Sequence, residues 1–483
     1  MNRETSQADE SAVQKMAKPL WQSSRAPLTL FAVALAIRLV FLVGVSGFDY
    51  VGWYHDSYHH WQVAYYTLHV GLRQDPPRIW DLNGMEYFWG LFPTLIESFL
   101  LWVFNTTSFV PFRIFNILMG GVSVYLVYSI SKKYFTHRIA LIASGLTAIL
   151  PVFWEVDTSG MLDPVGIMFL LLGLYMYESR PFSSGVCFAL ASLSHIEFWF
   201  LSFAMIASHW IYSRSGTRLV PSLIGWLTPM VPYFWFMQTR TGDWLYAFRW
   251  NYLSSIAGTW IRDVTVPFET QIAPRGVAVT FLILSGALAL RFLKRRPRSY
   301  PLHILFLAYI GMQGLIFGLS AYTVPYIAFH QLGRLFLDRL FAVNYYYVSI
   351  LLAIAIDRFP RQVSSHLEGI RRLHLRRGQV LLSVTVLVYL ASFSYVRYEY
   401  FNPTYYVPYV SQVELAEYIL GRYRGGTILS SLVIVNYWVV NHGVSYQSVV
   451  GSIYMPTSNL EESYAWLIKH NVTWLIVDNN QTA

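Results

Sequence analysis

Two short acidic motifs hold the residues best suited to chemistry, His55-Asp56-Ser57-Tyr58 and Leu162-Asp163-Pro164. Each sets a carboxylate where an apolar run meets a polar segment, and ionisable groups at membrane depth are costly enough to mark a site. Asp56 opens an aromatic, helix-compatible stretch, Tyr58-His59-His60-Trp61. A carboxylate there could take the proton of a hydroxyl attacking an activated sugar. Asp is also a favoured helix cap, and one residue can do both jobs. Asp163 precedes Pro164, a good first helical residue, so capping competes again. Glu155 and Asp157 add two more carboxylates to a short loop, 155–163. Such a cluster could bind a divalent cation, orient an acceptor or share a proton.

The other candidates each have a plainer alternative. His55 and His59 stand at the i, i+4 spacing of a zinc pair, with His60 beside them. No HExxH-type glutamate accompanies them, and Tyr and Trp are interleaved, which favours interfacial hydrogen bonding. His195 and Glu197 sit between two short apolar stretches, either facing a cavity or packed within the fold. Arg334 and Arg339 precede an apolar run; each could grip a phosphate by paired hydrogen bonds or snorkel to the interface. Arg38, inside the first run, needs an internal acidic partner. Arg240, Arg249 and Arg262 could add phosphate contacts, with nothing to rank them. Asn105-Thr106-Thr107 and Asn471-Val472-Thr473 fit the N-glycosylation pattern, one that chance often produces.

These residues must be positioned by a membrane scaffold. The 483 residues are 55% hydrophobic and 13% charged, against about 25% charged in soluble proteins. The 17% aromatic content suits interfacial belts and a lipid or sugar site. A net charge of +9 comes from basic residues in short loops, a topological pattern and not a nucleic-acid surface. Cys187 is the only cysteine, which excludes disulfides within the chain and cysteine-based metal sites. The first apolar run lacks a cleavage-type motif and reads as a retained anchor.

Apolar runs near 27–46, 113–130, 139–155, 164–177, 219–237, 272–290, 301–320, 340–356 and 379–396 are candidates to cross a core of roughly 30 Å. Basic groups cluster at Lys132, Lys133 and Arg138; at Arg214 and Arg218; at Arg291 through Arg298; and at Arg358 through Arg377. Placing all of them in the cytoplasm with the N-terminus makes 87–104 a helix in the outer interface. It also splits 183–212 into an up-and-down pair meeting at Ser194–Glu197. The expectation is an all-α polytopic membrane protein of about eleven spans. Residues 1–26 form a cytoplasmic segment, 27–396 the membrane domain with a first outer loop at 47–112, and 397–483 a small α/β domain outside the membrane. Within that domain the patterns predict a helix (Val413–Arg422), a strand (Thr427–Val440), a helix (Leu460–His470) and a strand (Val472–Val477).

The order of these features resembles the GT-C superfamily of polyprenyl-phosphate-sugar-dependent glycosyltransferases. The likeness is to the branch of protein O-mannosyltransferases and the lipid A aminoarabinose transferase. Ile37-Arg38-Leu39 looks like the family's Arg-containing first span, followed by the Asp motif at Asp56. Glu86-Tyr87-Phe88-Trp89 through Pro93 looks like the Glu/Pro opening of its lateral helix. Pro111-Phe112-Arg113 leads the next span, Ser131-Lys132-Lys133-Tyr134-Phe135 its basic turn, and Leu162-Asp163-Pro164 the second acidic motif. Gly333-Arg334 stands where the family has a Gly-Lys phosphate contact. The resemblance is good over 27–200, fair over 320–357, and architectural elsewhere. Ser57 replaces a common second acid, and His195 an expected Lys.

The resemblance implies an inverting transferase with its site on the outer or lumenal side of a plasma or endoplasmic reticulum membrane. It would move mannose or another hexose from a dolichyl or other polyprenyl phosphate to an acceptor lipid, glycan or protein. Asp56, Asp163 and Glu86 would be catalytic, and Arg334, Arg339 and His195 would bind donor phosphate. Glu155, Asp157, His55, His59 and Glu197 would orient the acceptor or an optional divalent metal. A flippase of lipid-linked sugars is the alternative. It would need the cavity and the arginines but no carboxylate at the anomeric carbon, and the repeats common in transporters are not evident. A non-catalytic scaffold would leave the ordered acidic motifs unexplained.

Overall fold

The computed structural model describes residues 25–48, 55–70, 90–211, 216–255, 283, 286, 298–323, 342–366, 403–451, 455–456 and 459–476. Every expected apolar run within them is a helix or a helix pair; 379–396, and 272–290 apart from Ile283 and Gly286, lie outside the described residues. The first is α1 (Ala26–Phe41), prolonged by a π-turn over Leu42–Ser46. The aromatic stretch forms α2 (His55–Val70), and the interfacial segment forms α3 (Leu91–Phe104). Next come α4 (Val110–Tyr134), α5 (His137–Ile149), α6 (Pro151–Thr158) and α7 (Asp163–Met176). The stretch 183–212 is the expected pair, α8 (Pro181–Ser192) and α9 (Glu197–Ile211). Then follow α10 (Gly216–Thr241), α11 (Tyr246–Ser255), α12 (Tyr300–Thr323) and α13 (Ala342–His366).

Among the described residues, α1 with its extension, α4 and α10 are long and apolar enough to cross a membrane. The pair α5–α6, bent by 58° at Leu150, makes a fourth if it counts as one broken span. The bend has a local cause: Pro151 cannot donate to the preceding turn, so it starts a new helix. At 14 residues, α3 spans only about 21 Å and is too short to cross. Its sidedness is inverted relative to a soluble helix. Leu95, Phe99, Trp102, Val103 and Phe104 are exposed, whereas Thr94, Glu97 and Ser98 face the protein. That is how a helix sits with its apolar side in lipid.

The last stretch contains α14 (Pro403–Arg422), β1 (Thr427–Leu429), α15 (Val433–Asn441), β2 (Val449–Val450), α16 (Leu460–Lys469) and β3 (Val472–Leu475). The strands form one parallel sheet in the order β2-β1-β3, with Ile428 opposite Val449 and Trp474. The expected strand Thr427–Val440 is corrected: it ends at Leu429, where the Ser430 hydroxyl accepts the Leu432 N–H at 3.0 Å and turns the chain. Its β-branched continuation is helical because Ile434, Val435, Tyr437, Val439 and Val440 are buried around much of the helix circumference. Packing overrides the β preference of Val and Ile.

Candidate active site

Asp56 lies in the first turn of α2 and is partly exposed. Every residue from Ser57 to Thr67 behind it is buried, although His59, His60, Gln62 and Thr67 are polar. A helix covered all round belongs to a core, so His59 and His60 are not the interfacial residues expected. Burial lowers the His59 pKa to about 4, with Asp56 acting in the opposite direction. At neutral pH this ring is uncharged. The His55 side chain is outside the described set, as are Glu86, Arg334, Arg339 and Arg262.

Asp163 starts α7 and is likewise partly exposed. The turn before it touches the start of α2. At Gly160, where φ is +80°, a Cβ would lie 3.7 Å from the Ser57 Cβ and 3.5 Å from the Arg113 side chain. Glycine meets both the positive φ and the close approach. Arg113, wholly buried, binds this corner together: it donates to the carbonyls of Gly47 (3.0 Å), Phe48 and Thr158. Asn116, one turn along α4, donates to the Met161 carbonyl at 2.7 Å. The helix starts bearing Asp56 and Asp163 are thereby brought together at one end of the bundle.

The tip between α8 and α9 reaches the same end. Gly166, one turn beyond Asp163, faces Phe198 and Ser194. Gly90, ahead of α3, lies so close to the Ser194 carbonyl that a Cβ would overlap it. The Phe92 N–H donates to the Leu193 carbonyl at 3.1 Å. His195 and Glu197, both partly exposed, therefore stand beside the starts of α3 and α7. The lateral helix in turn holds α2, since the Ser98 hydroxyl donates to the Ala64 carbonyl at 2.8 Å.

The expected loop cluster of Glu155, Asp157 and Asp163 is corrected. Residues 151–158 are helical, because Pro151 starts α6 and Val152, Phe153 and Val156 bury its apolar face. Glu155 and Asp157 are buried within it. Asp157 is the acidic partner that Arg38 requires: Arg38 Nε donates to Asp157 Oδ2 at 2.6 Å, both side chains being buried. Among the described residues no three His, Cys, Asp or Glu side chains converge on a point that could hold a metal ion. Arg249 pairs with Asp243 at 3.0 Å, and Arg240 lies over the Phe236 ring.

Two features lay beyond the sequence reading. Glu97 appeared there only inside the 87–104 segment. It is buried on the protein side of α3, and neither carboxyl oxygen has a hydrogen-bond partner among the described residues. Burial pushes its pKa well above the usual carboxylate range. The polar-inward pattern of Thr94, Glu97 and Ser98 on an otherwise apolar helix was the available sign. The second is the contact of α15 with α2, between residues remote in sequence.

Residues 91–237 match the family model of dolichyl-phosphate-mannose-protein mannosyltransferases. No curated protein matches the chain at a significant level. Among solved structures, an Archaeoglobus fulgidus oligosaccharyltransferase tethered to an acceptor peptide aligns at 15% identity. It covers 95% of this chain and 70% of its own, with a TM-score of 0.48. The AglB oligosaccharyltransferase of Archaeoglobus fulgidus, in complex with an inhibitory peptide and a dolichol-phosphate, aligns at 15% identity over 93% and 69%, with a TM-score of 0.45. ArnT from Cupriavidus metallidurans, bound to undecaprenyl phosphate, aligns at 14% identity over 94% of this chain and 90% of its own, with a TM-score of 0.49.

Proposed function

We propose that the chain is an integral-membrane inverting glycosyltransferase that uses a polyprenyl-phosphate sugar. The observation that carries this reading is the meeting of the Asp56 and Asp163 helix starts at Gly160. The family match to mannosyltransferases supports mannose or another hexose as the donor sugar. The opposite end of the bundle carries Lys132, Lys133 and Arg138, which supports an outer or lumenal site by the positive-inside rule.

In the proposed reaction the acceptor hydroxyl oxygen attacks the anomeric carbon on the face away from the phosphate. The carbon–oxygen bond to phosphate breaks, the configuration inverts, and polyprenyl phosphate leaves with the bonding pair. Asp56 takes the hydroxyl proton as general base. Asp163, with Glu86, orients the acceptor. Arg334 and Arg339, with His195 beside the tip, offset the charge developing on the leaving phosphate. Asp157 is left out of the acceptor-orienting set because Arg38 engages it.

The test is release of polyprenyl phosphate from dolichyl-phosphate mannose and undecaprenyl-phosphate hexoses by purified wild type and Asp56→Asn. We expect release by wild type and a loss of about 10²–10⁴-fold in the variant, with donor binding retained. Wild-type turnover in Asp56→Asn removes that residue as the base. Donor binding without release by either protein, even with membrane extract supplying acceptors, favours a flippase.

A further inference from the structure

The helix that carries Asp56 is held by residues nearly four hundred positions away. Tyr437 of α15 inserts its ring between three aromatic side chains. Its centroid lies 5.2 Å from Tyr58, 4.8 Å from Trp61 at an interplanar angle of 89°, and 4.7 Å from Phe109. Such tilted and edge-on pairs fix orientation as well as burying area. Beside it, Asn436 Nδ2 donates to Gln62 Oε1 at 3.1 Å, with both residues wholly buried. The Thr107 hydroxyl donates to Asn441 Oδ1 at 2.6 Å, and Trp61 Nε1 donates to the Thr107 carbonyl at 2.7 Å. A second grip lies further along α2. The Tyr66 hydroxyl donates to the Tyr446 carbonyl at 3.3 Å, and His69 stacks on the Tyr446 ring at 4.7 Å.

These contacts set the roll and the axial position of α2. Tyr58 is two residues from Asp56, and Ser57 between them rests against Gly160. A rotation of α2 would carry Asp56 away from the Asp163 helix start, and it would strand the buried amides of Gln62 and Asn436. The polar pair specifies one register where an all-apolar contact would tolerate several.

We propose that α15 is a positioning element for the reaction, with Tyr437 and Asn436 as positioning residues that act on Asp56 through α2. The inference rests on the reading of Asp56 as the general base. It gives the C-terminal stretch a role in turnover that is separate from recognition of acceptor or donor. Neither residue need touch substrate. Their effect belongs in the rate of the bound complex, because donor phosphate is assigned to other groups.

The test uses the full chain and donors already named, with kcat and donor KM measured separately. Tyr437→Leu is expected to lower kcat by about tenfold to a hundredfold, the cost of displacing a reacting group by around an ångström. Donor KM should stay within about twofold. Tyr437→Phe, which keeps the ring, should restore kcat. Asn436→Leu and Gln62→Leu should each lower kcat, and the double variant should lose no more than the worse single one, because the pair acts as a unit. The fraction of folded protein is measured alongside. A loss of turnover that merely tracks that fraction overturns the inference. So does a wild-type kcat in folded Tyr437→Leu or, should that protein fail to fold, in Asn436→Leu. Asp56→Asn run in parallel keeps the two claims apart. An active Asp56→Asn defeats the base assignment, whereas an inactive one beside an unimpaired Tyr437→Leu defeats only the role of α15.

Discussion

The two ends of the helical bundle are held by different physics. At the acidic end the contacts are buried and largely made to backbone: Arg113 on three carbonyls, Asn116 on Met161, Gly90 against Ser194, and Gly160 against Ser57. The Arg38–Asp157 pair lies next to this end and is also buried. At the basic end the contacts run between side chains; Lys133, Glu178 and Arg138 are nearer to solvent, whereas Asp357 is buried. Lys133 meets Glu178 at 2.8 Å with both about a quarter exposed, and Arg138 reaches Asp357 at 3.4 Å. Phenol–imidazole contacts join them, Tyr128 with His137 at 3.0 Å and His303 with Tyr347 at 2.5 Å. Backbone contacts fix geometry to a few tenths of an ångström, whereas long side chains can re-form a pair after a shift. Where the two acidic motifs meet, Arg113 and Asn116 tie the chain through backbone carbonyls, while toward the basic end Gly185 and Gly225 also bring the α8 and α10 backbones together.

Substitutions can break this contrast or sharpen it. The largest effect on stability is expected from Asp157→Ala, which leaves the Arg38 guanidinium buried and uncompensated. Breaking such a pair costs about 3–5 kcal/mol, read as a lower thermal midpoint, and a combined Arg38→Met and Asp157→Leu protein should recover much of it. His59 comes next. Its folded pKa of about 4 lies below the ordinary 6.5, so the folded state binds fewer protons than the unfolded one between those values. Its contribution is complete above pH 6.5 and falls away as the pH drops to 4, about 3 kcal/mol in all. His59→Gln should flatten the stability profile in that window, and an unchanged profile would assign the acid sensitivity to another group.

A smaller change, Gly90→Ala, puts a methyl group into the Ser194 backbone. The expected loss is about 1–3 kcal/mol, together with impaired turnover because the tip carrying His195 must move. Lys133→Ala at the opposite end should cost about 0.2–1 kcal/mol, the range of a partly exposed pair, and leave turnover alone. A larger loss from Lys133→Ala than from Gly90→Ala would reverse the comparison of the two ends.

The helices were legible wherever a local pattern decided them. Charge placement indicated that 183–212 is two helices, which the α8–α9 pair is, and that 87–104 lies along the interface, where α3 is a helix too short to cross. Arg38 announced a buried acid, which is Asp157. What escaped depends on distant partners. Residues 433–441 carry a strand's composition yet form a helix, because their surroundings bury them around much of its circumference. The polar residues of α2 read as interfacial because nothing nearby predicts α15 as their cover. Glu155 and Asp157 read as a loop cluster because their charges end the apolar run 139–155, although the helix continues to Thr158. For the candidate site, the two acidic motifs were visible in sequence, but the glycines and Arg113 that bring their helices together were not recognised in that role.

The bond between Gln62 and Asn436 spans 374 positions, and that distance has a meaning in time. A chain leaving the ribosome at about 5–20 residues per second makes α2 roughly 20–75 s before α15 exists. Throughout that interval the buried amide of Gln62 and the rings of Tyr58 and Trp61 lack their final cover. An early element of the site is thus completed by a segment made 374 residues later. A transcript cut short before residue 433 would yield every membrane helix described here and an α2 without its α15 cover.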